Sequence, residues 1–144
     1  MYGVPGYHRR CRSGAGVVVH LLIMRRYISA IVGIGVLYGL NRFCLIPATE
    51  GLLHDLLAWH GADILAGAMM LCILNVALLA SRRRPLRRFG WVTLFLLGCG
   101  LFWEVITPLY LPRSVGDPRD LAAYWLGGML LLLTERFGPR RDAF

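Results

Sequence analysis

A chain of 144 residues that is 57% hydrophobic and 17% charged, with a mean hydropathy of +0.58, is too apolar for an ordinary soluble domain, where about a quarter of residues are charged. The net charge of +8 does not signal a nucleic-acid partner, because all 16 basic residues are arginines and most of them cluster beside apolar blocks, as the positive-inside rule describes. The four cysteines, Cys11, Cys44, Cys72 and Cys99, have neither metal nor redox spacing and read as small buried hydrophobes.

Residues 1–23 combine a basic part with a short apolar part, superficially like a signal peptide. His20 interrupts the apolar part, which runs straight into Arg25 and Arg26, and Met24 stands before "RRYISAIVGIG", a good start for a membrane protein. The expected organisation is a disordered or over-called extension over 1–23, a four-span membrane domain over 24–136 and a basic cytoplasmic tail over 137–144. The spans are expected at about 27–46, 58–80, 91–111 and 118–135, each close to the length that crosses a bilayer core. These runs do not alternate, so they are helices rather than strands of a barrel. The expected fold is therefore all-α, an integral membrane four-helix bundle.

Arginine sets the orientation. Arg25 and Arg26 precede the first span, "SRRRPLRR" (81–88) joins the second to the third, and "RFGPRR" (136–141) follows the fourth. The two other loops, about 47–57 and 112–117, hold one arginine between them. Both termini and the central loop are thus expected to be cytoplasmic, with the two arginine-poor loops facing outward. Asp117 and Pro118 read as cap and first residue of the fourth helix, with Asp120 in its first turn. Pro108 is expected to bend or end the third. Gly35 with Gly39, and Gly127 and Gly128 with Gly98 and Gly100, would let helices approach closely.

Six of the eight acids fall on the outer side: Glu50, Asp55, Asp63, Glu104, Asp117 and Asp120. His54, His60, Asn41, Arg42 and Arg113 fall there too. Glu104 is the sharpest of these, a carboxylate set inside the third span, where burial costs a few kcal/mol or more unless it is paired, protonated or turned into the bundle. His60 and Asp63 are three apart and share a helix face. Arg42 is a counter-ion for either Asp63 or Glu104. Three readings compete: a salt-bridge and capping network without chemistry, a divalent-cation or anion site, and acid–base chemistry on a headgroup centred on Glu104 and assisted by His54 and Asp55. The chain has no nucleophile motif, no phosphate-cradling glycine loop and no H-E-x-x-H signature, so the enzyme reading rests on placement alone and the sequence leans against it.

The string "FWEVITPLYLPRSVGDPRDLAAYWLGGMLL" resembles the last half of VanZ-like membrane proteins. The resemblance places the family's glutamate at Glu104, its outer-loop arginine at Arg113, its spaced aspartates at Asp117 and Asp120, and the polar residue and glycines opening the fourth span at Tyr124, Gly127 and Gly128. His54 is the best match for the family's histidine. Where family members carry Gln after the glutamate and Asn in the fourth span, this chain has Thr107 or Pro108, and Tyr124. Closer still is the similarity to small bacterial membrane proteins labelled magnesium–citrate secondary transporter, through "NRF" (41–43), His54, Asp55-Leu56-Leu57, Glu104, Pro108 and "DPRDLAAYWLGG" (117–128). It covers roughly residues 40 to 133.

The resemblance and the residues together imply a multi-pass, VanZ-like protein of the bacterial inner (cytoplasmic) membrane, with an outer-facing acidic site for a cell-envelope lipid headgroup or a cation. The candidate ligand-binding residues are Glu104, Asp117, Asp120, Arg113, His54, Asp55, Asp63, Arg42 and Tyr124. Alternatives are a transporter of a divalent cation with a citrate-like anion, and a structural membrane subunit. The expected partners are the lipid bilayer and a cell-envelope lipid or small anion, with homo-oligomerisation left open. A divalent cation is the one cofactor the acids suggest.

Overall fold

The computed structural model describes residues 8–103, 109 and 118–137, and among them there is no strand. Four long helices form where the apolar runs lie. The first, α1 (His8–Leu40), continues through a π-helical turn, Asn41–Leu45, into a last turn, α2 (Ile46–Ala48). The second begins as α3 (Gly51–Asp55), passes another π-helical turn, Leu56–His60, and runs on as α4 (Gly61–Ala80). α5 (Phe89–Leu101) and α6 (Pro118–Phe137) complete the set. The stretches Gly16–Ala48 and Gly51–Ala80 are each long and apolar enough to cross a membrane. From His8 onward the expected N-terminal extension is helical and continuous with the first span. Within it the His20 ring nitrogen Nε2 donates to the carbonyl of Leu79 at 2.7 Å, tying α1 to the end of α4.

The segment expected as an outer loop, 47–57, is largely helical. Leu52, Leu53, Leu56 and Leu57 recur at helical spacing and carry the second helix back to Gly51. The reversal takes only Thr49 and Glu50, with Gly51 at φ +63°, a left-handed conformation that suits glycine. The Thr49 hydroxyl donates to the Leu45 carbonyl at 2.8 Å and closes the end of the first helix.

The helices pack in the order α1, α4, α6, α5, and the contact between α4 and α6 is the most extensive. Because α5 returns the chain, α4 and α6 run parallel: they cross where Gly67 meets Tyr124 and Gly127 meets Ile64, and residue numbers then rise together along both helices to the core that Leu71 shares with Met129 and Leu132. At both points the glycine backbone rests on a main-chain carbonyl of the other helix, with no room for a Cβ. Below this crossing lie two cores. Leu71, Val92, Leu96, Met129 and Leu132 join α4, α5 and α6, and Tyr27, Cys72 and Leu79 join α1 to α4. Outside these cores the surface is apolar. α1 presents Val17, Leu21, Val32, Val36 and Leu37 outward, and α5 and α6 present Leu94, Leu101, Leu126, Leu130 and Leu133.

The arginine loop is folded onto α4 by two devices. Arg82 adopts φ +55°, its amide bonding Leu79 and that of Arg83 bonding Leu78, which closes the last turn of α4. Asn75, completely buried, pairs with the main chain of the loop: its Oδ1 accepts from the Leu86 amide at 2.6 Å and its Nδ2 faces the Leu86 carbonyl at 3.5 Å. Replacing Asn75 by Ala leaves the Leu86 amide without its acceptor and opens a small void. The expected loss is about 2 kcal/mol, to be read as a lower unfolding midpoint in detergent.

Candidate functional site

The parallel pairing of α4 and α6 has a chemical consequence at their N-terminal ends. Two positions 60 residues apart in sequence come together there: His60 Nδ1 lies 3.2 Å from Asp120 Oδ1. His60 closes the second π-helical turn, and Asp120 stands in the first turn of α6. Asp63, in the first turn of α4, is on the same face as His60. One ligand atom from each of His60, Asp63 and Asp120 lies within 4.8 Å of the others, and all three side chains are partly buried.

The two π-helical turns bring this corner into place. They touch each other, and Asn41, at the start of the first, donates through Nδ2 to the Leu57 carbonyl inside the second at 3.1 Å. A π-turn leaves carbonyls out of the regular i→i−4 ladder, and Asn41 takes up one of them. Its amide packs on Gly61, where a Cβ would come within 3.1 Å of Nδ2. The Asn41 Oδ1 is buried with no hydrogen-bond partner. The corner is thus rigid on the protein side and carries one unmet acceptor.

Beside His60 and Asp120 opens a cavity of about 680 Å³ lined also by Leu52, Asp55, Leu56, Trp59 and Arg119. Its lining combines three apolar residues, of which Trp59 is 71% exposed, with a histidine, two aspartates and an arginine. A molecule with a greasy part and an anionic or metal-binding part matches that mixed lining.

Of the residues singled out in the sequence, Asp120 and Asp63 stand in the cluster and Asp55 lines the cavity. His54 faces its neighbour Asp55 at 3.4 Å, both well exposed. Arg42 is exposed on the first π-turn. Tyr124 contributes its carbonyl to the glycine crossing and its ring beside Gly100. Glu104, Arg113 and Asp117 lie outside the described residues, as does Pro108. His60, noted in the sequence only as sharing a face with Asp63, is the centre of the cluster. Trp59 and Arg119 were not singled out, and their signal would have been adjacency: each precedes a cluster residue.

A second cavity of about 380 Å³ lies at the other end of α4, lined by Gly16, Val17, His20, Leu21, Met24, Leu79, Ala80 and Arg82. The 20 residues of α4 put the two cavities about 30 Å apart. No family model matches the chain, and no curated protein or solved structure matches it either.

Proposed function

We propose that the chain is a multi-pass, VanZ-like protein of the bacterial inner membrane with both termini in the cytoplasm, whose outer-facing pocket binds the anionic headgroup of a cell-envelope lipid. The observation that carries this reading is the mixed lining of the 680 Å³ cavity, where Leu52, Leu56 and Trp59 stand among Asp55, His60, Arg119 and Asp120. A lipid enters such a site sideways, its chain against the apolar residues and its phosphate toward Arg119. Aromatic residues support the membrane setting. Phe43, Trp59, Phe102 and Trp103 are exposed near the pocket, and Phe89, Trp91 and Phe137 at the arginine end, where two interfacial belts would stand. Arg82, Arg83, Arg84 and Arg88 are exposed beside the second belt, on the cytoplasmic side that arginine favours.

The test is binding of a polyprenyl-phosphate lipid to the detergent-solubilised chain, followed by native mass spectrometry against a neutral lipid of equal chain length. Arg119→Gln and Trp59→Ala are each expected to weaken binding roughly tenfold or more, the size of a lost charge-assisted contact or a lost aromatic wall. Equal binding of the phosphorylated and neutral lipids would refute a headgroup site.

Transport of a cation with an organic anion is the second reading. It is favoured by the cavity at the opposite end of α4, since a carrier needs a vestibule at each face. Leu71, Cys72 and Asn75 are buried on α4 between the two cavities, so this reading requires the α1–α4 contact to open.

A further inference from the structure

His60 and Asp120 alone would make an ordinary ion pair. Asp63 brings a second carboxylate into reach of both. Ligand atoms held about 2.0–2.2 Å from one divalent ion are about 3.0–3.5 Å from each other, and His60 Nδ1 and Asp120 Oδ1 already stand 3.2 Å apart. The donors come from two helices locked together by the glycine crossing, so the three positions are fixed before any ion arrives. The adjoining cavity gives the open side, and the buried, unmet Asn41 Oδ1 lies against Gly61, the residue after His60.

We propose that His60, Asp63 and Asp120 bind a first-row transition-metal dication of the Zn²⁺ or Mn²⁺ class, whose remaining coordination positions face the cavity and take an oxyanion of the bound headgroup. The inference rests on the cavity being the ligand site, as proposed above. One imidazole with two carboxylates suits these ions, whereas Mg²⁺ and Ca²⁺ prefer all-oxygen sets. Three protein ligands with an open position is the arrangement of a site that engages a ligand rather than a closed structural one. Two carboxylates and a neutral imidazole balance the charge of the ion. The metal then holds the phosphate on one side while Arg119 holds it on the other.

The experiment uses the full chain without an affinity tag, stripped with a chelator and titrated in detergent with Co²⁺, Zn²⁺ and Mg²⁺. Visible absorption reads the Co²⁺ ligand field, and calorimetry reads Zn²⁺. One equivalent of Co²⁺ and of Zn²⁺ is expected to bind, with Mg²⁺ at least tenfold weaker. His60→Ala and the isosteric Asp120→Asn should each lower affinity at least tenfold and change the Co²⁺ spectrum, while Glu50→Gln, an exposed acid at the same end, should change neither. If His60→Ala fails to fold, Asp120→Asn and Asp63→Asn carry the decision. Absence of binding, equal binding by Mg²⁺, or unchanged binding in the folded site variants would overturn the assignment. Polyprenyl-phosphate binding is measured on the same samples with and without metal. Lipid binding that persists without any metal site removes the ion and leaves the lipid pocket standing. Metal binding without lipid binding removes the headgroup reading instead.

Discussion

Alanine at Gly67 or Gly127 is expected to lower the unfolding midpoint by roughly 10 °C, corresponding to about 3 kcal/mol at the upper end of overpacking costs. The reason is what the new methyl would strike. At Gly67 it would overlap the Tyr124 carbonyl, and at Gly127 the Ile64 carbonyl. Neither is the loose end of a side chain, so α4 and α6 must move apart. The crossing lies one to two turns below the pocket, so the separation also pulls His60 away from Asp120, and ligand affinity should fall together with stability. Gly100 and Gly128 are milder cases, because a methyl there would meet the ends of Leu121 and Leu96, which can turn aside. Gly35 and Gly39 face open space, and alanine at either should be neutral or slightly stabilising through helix propensity. Thermal unfolding of these variants in one detergent decides the matter. A Gly35→Ala chain as damaged as Gly67→Ala would sink the packing described here.

The ranking of those glycines shows how far the sequence could be read. That Gly127 and Gly128 sit at a close contact was legible, because paired small residues in an apolar helix have few other uses. Gly35 and Gly39 carry the same pattern, yet a Cβ at either would meet nothing within 4 Å among the described residues, since pattern alone does not say which face finds a neighbour. Gly67 and Asn75 are single residues in an apolar run, and their roles exist only through partners elsewhere in the chain. The all-helical character was legible from block length, and Pro118 from its place as first residue of α6. The reversal at Thr49–Gly51 was not, because the loop around it is as leucine-rich as a helix. The site divides in the same way. The shared face of His60 and Asp63 follows from helical spacing. Its completion by Asp120 depends on α4 and α6 running parallel, a tertiary fact with no local signature. His54, matched to the family's histidine, is turned toward Asp55, whereas His60 meets the other helix. Glu104, the residue that the apolar run made most conspicuous, lies outside the described residues.

Arg87→Leu is the second substitution expected to be costly, at about 2 kcal/mol. Glu135, on the last turns of α6, has a side chain only 9% exposed, and its Oε2 lies 3.4 Å from Arg87 Nε. The Tyr27 hydroxyl of α1 lies beside both charges, buried and without a hydrogen bond of good geometry. Three separate parts of the chain therefore meet on one carboxylate: α1, the arginine loop and α6. Removing Arg87 leaves that carboxylate buried without its cation, a change that costs about 3–5 kcal/mol when the pair is fully enclosed. Arg87 is 41% exposed, so water can reach the vacated side and the cost is reduced. The sign of the second step is the sharper prediction. Arg87→Leu combined with Glu135→Leu removes the stranded charge, so the double variant should be more stable than Arg87→Leu alone, by about 1 kcal/mol or more. If the pair were an ordinary surface contact, the double variant would instead be no better than the worse single one. Lipid and metal binding should be unaffected in all of them, because the clamp is a helix length of about 30 Å from the pocket. Unfolding midpoints and binding measured on the same four proteins separate a local clamp at the arginine end from a coupling that runs the length of α4.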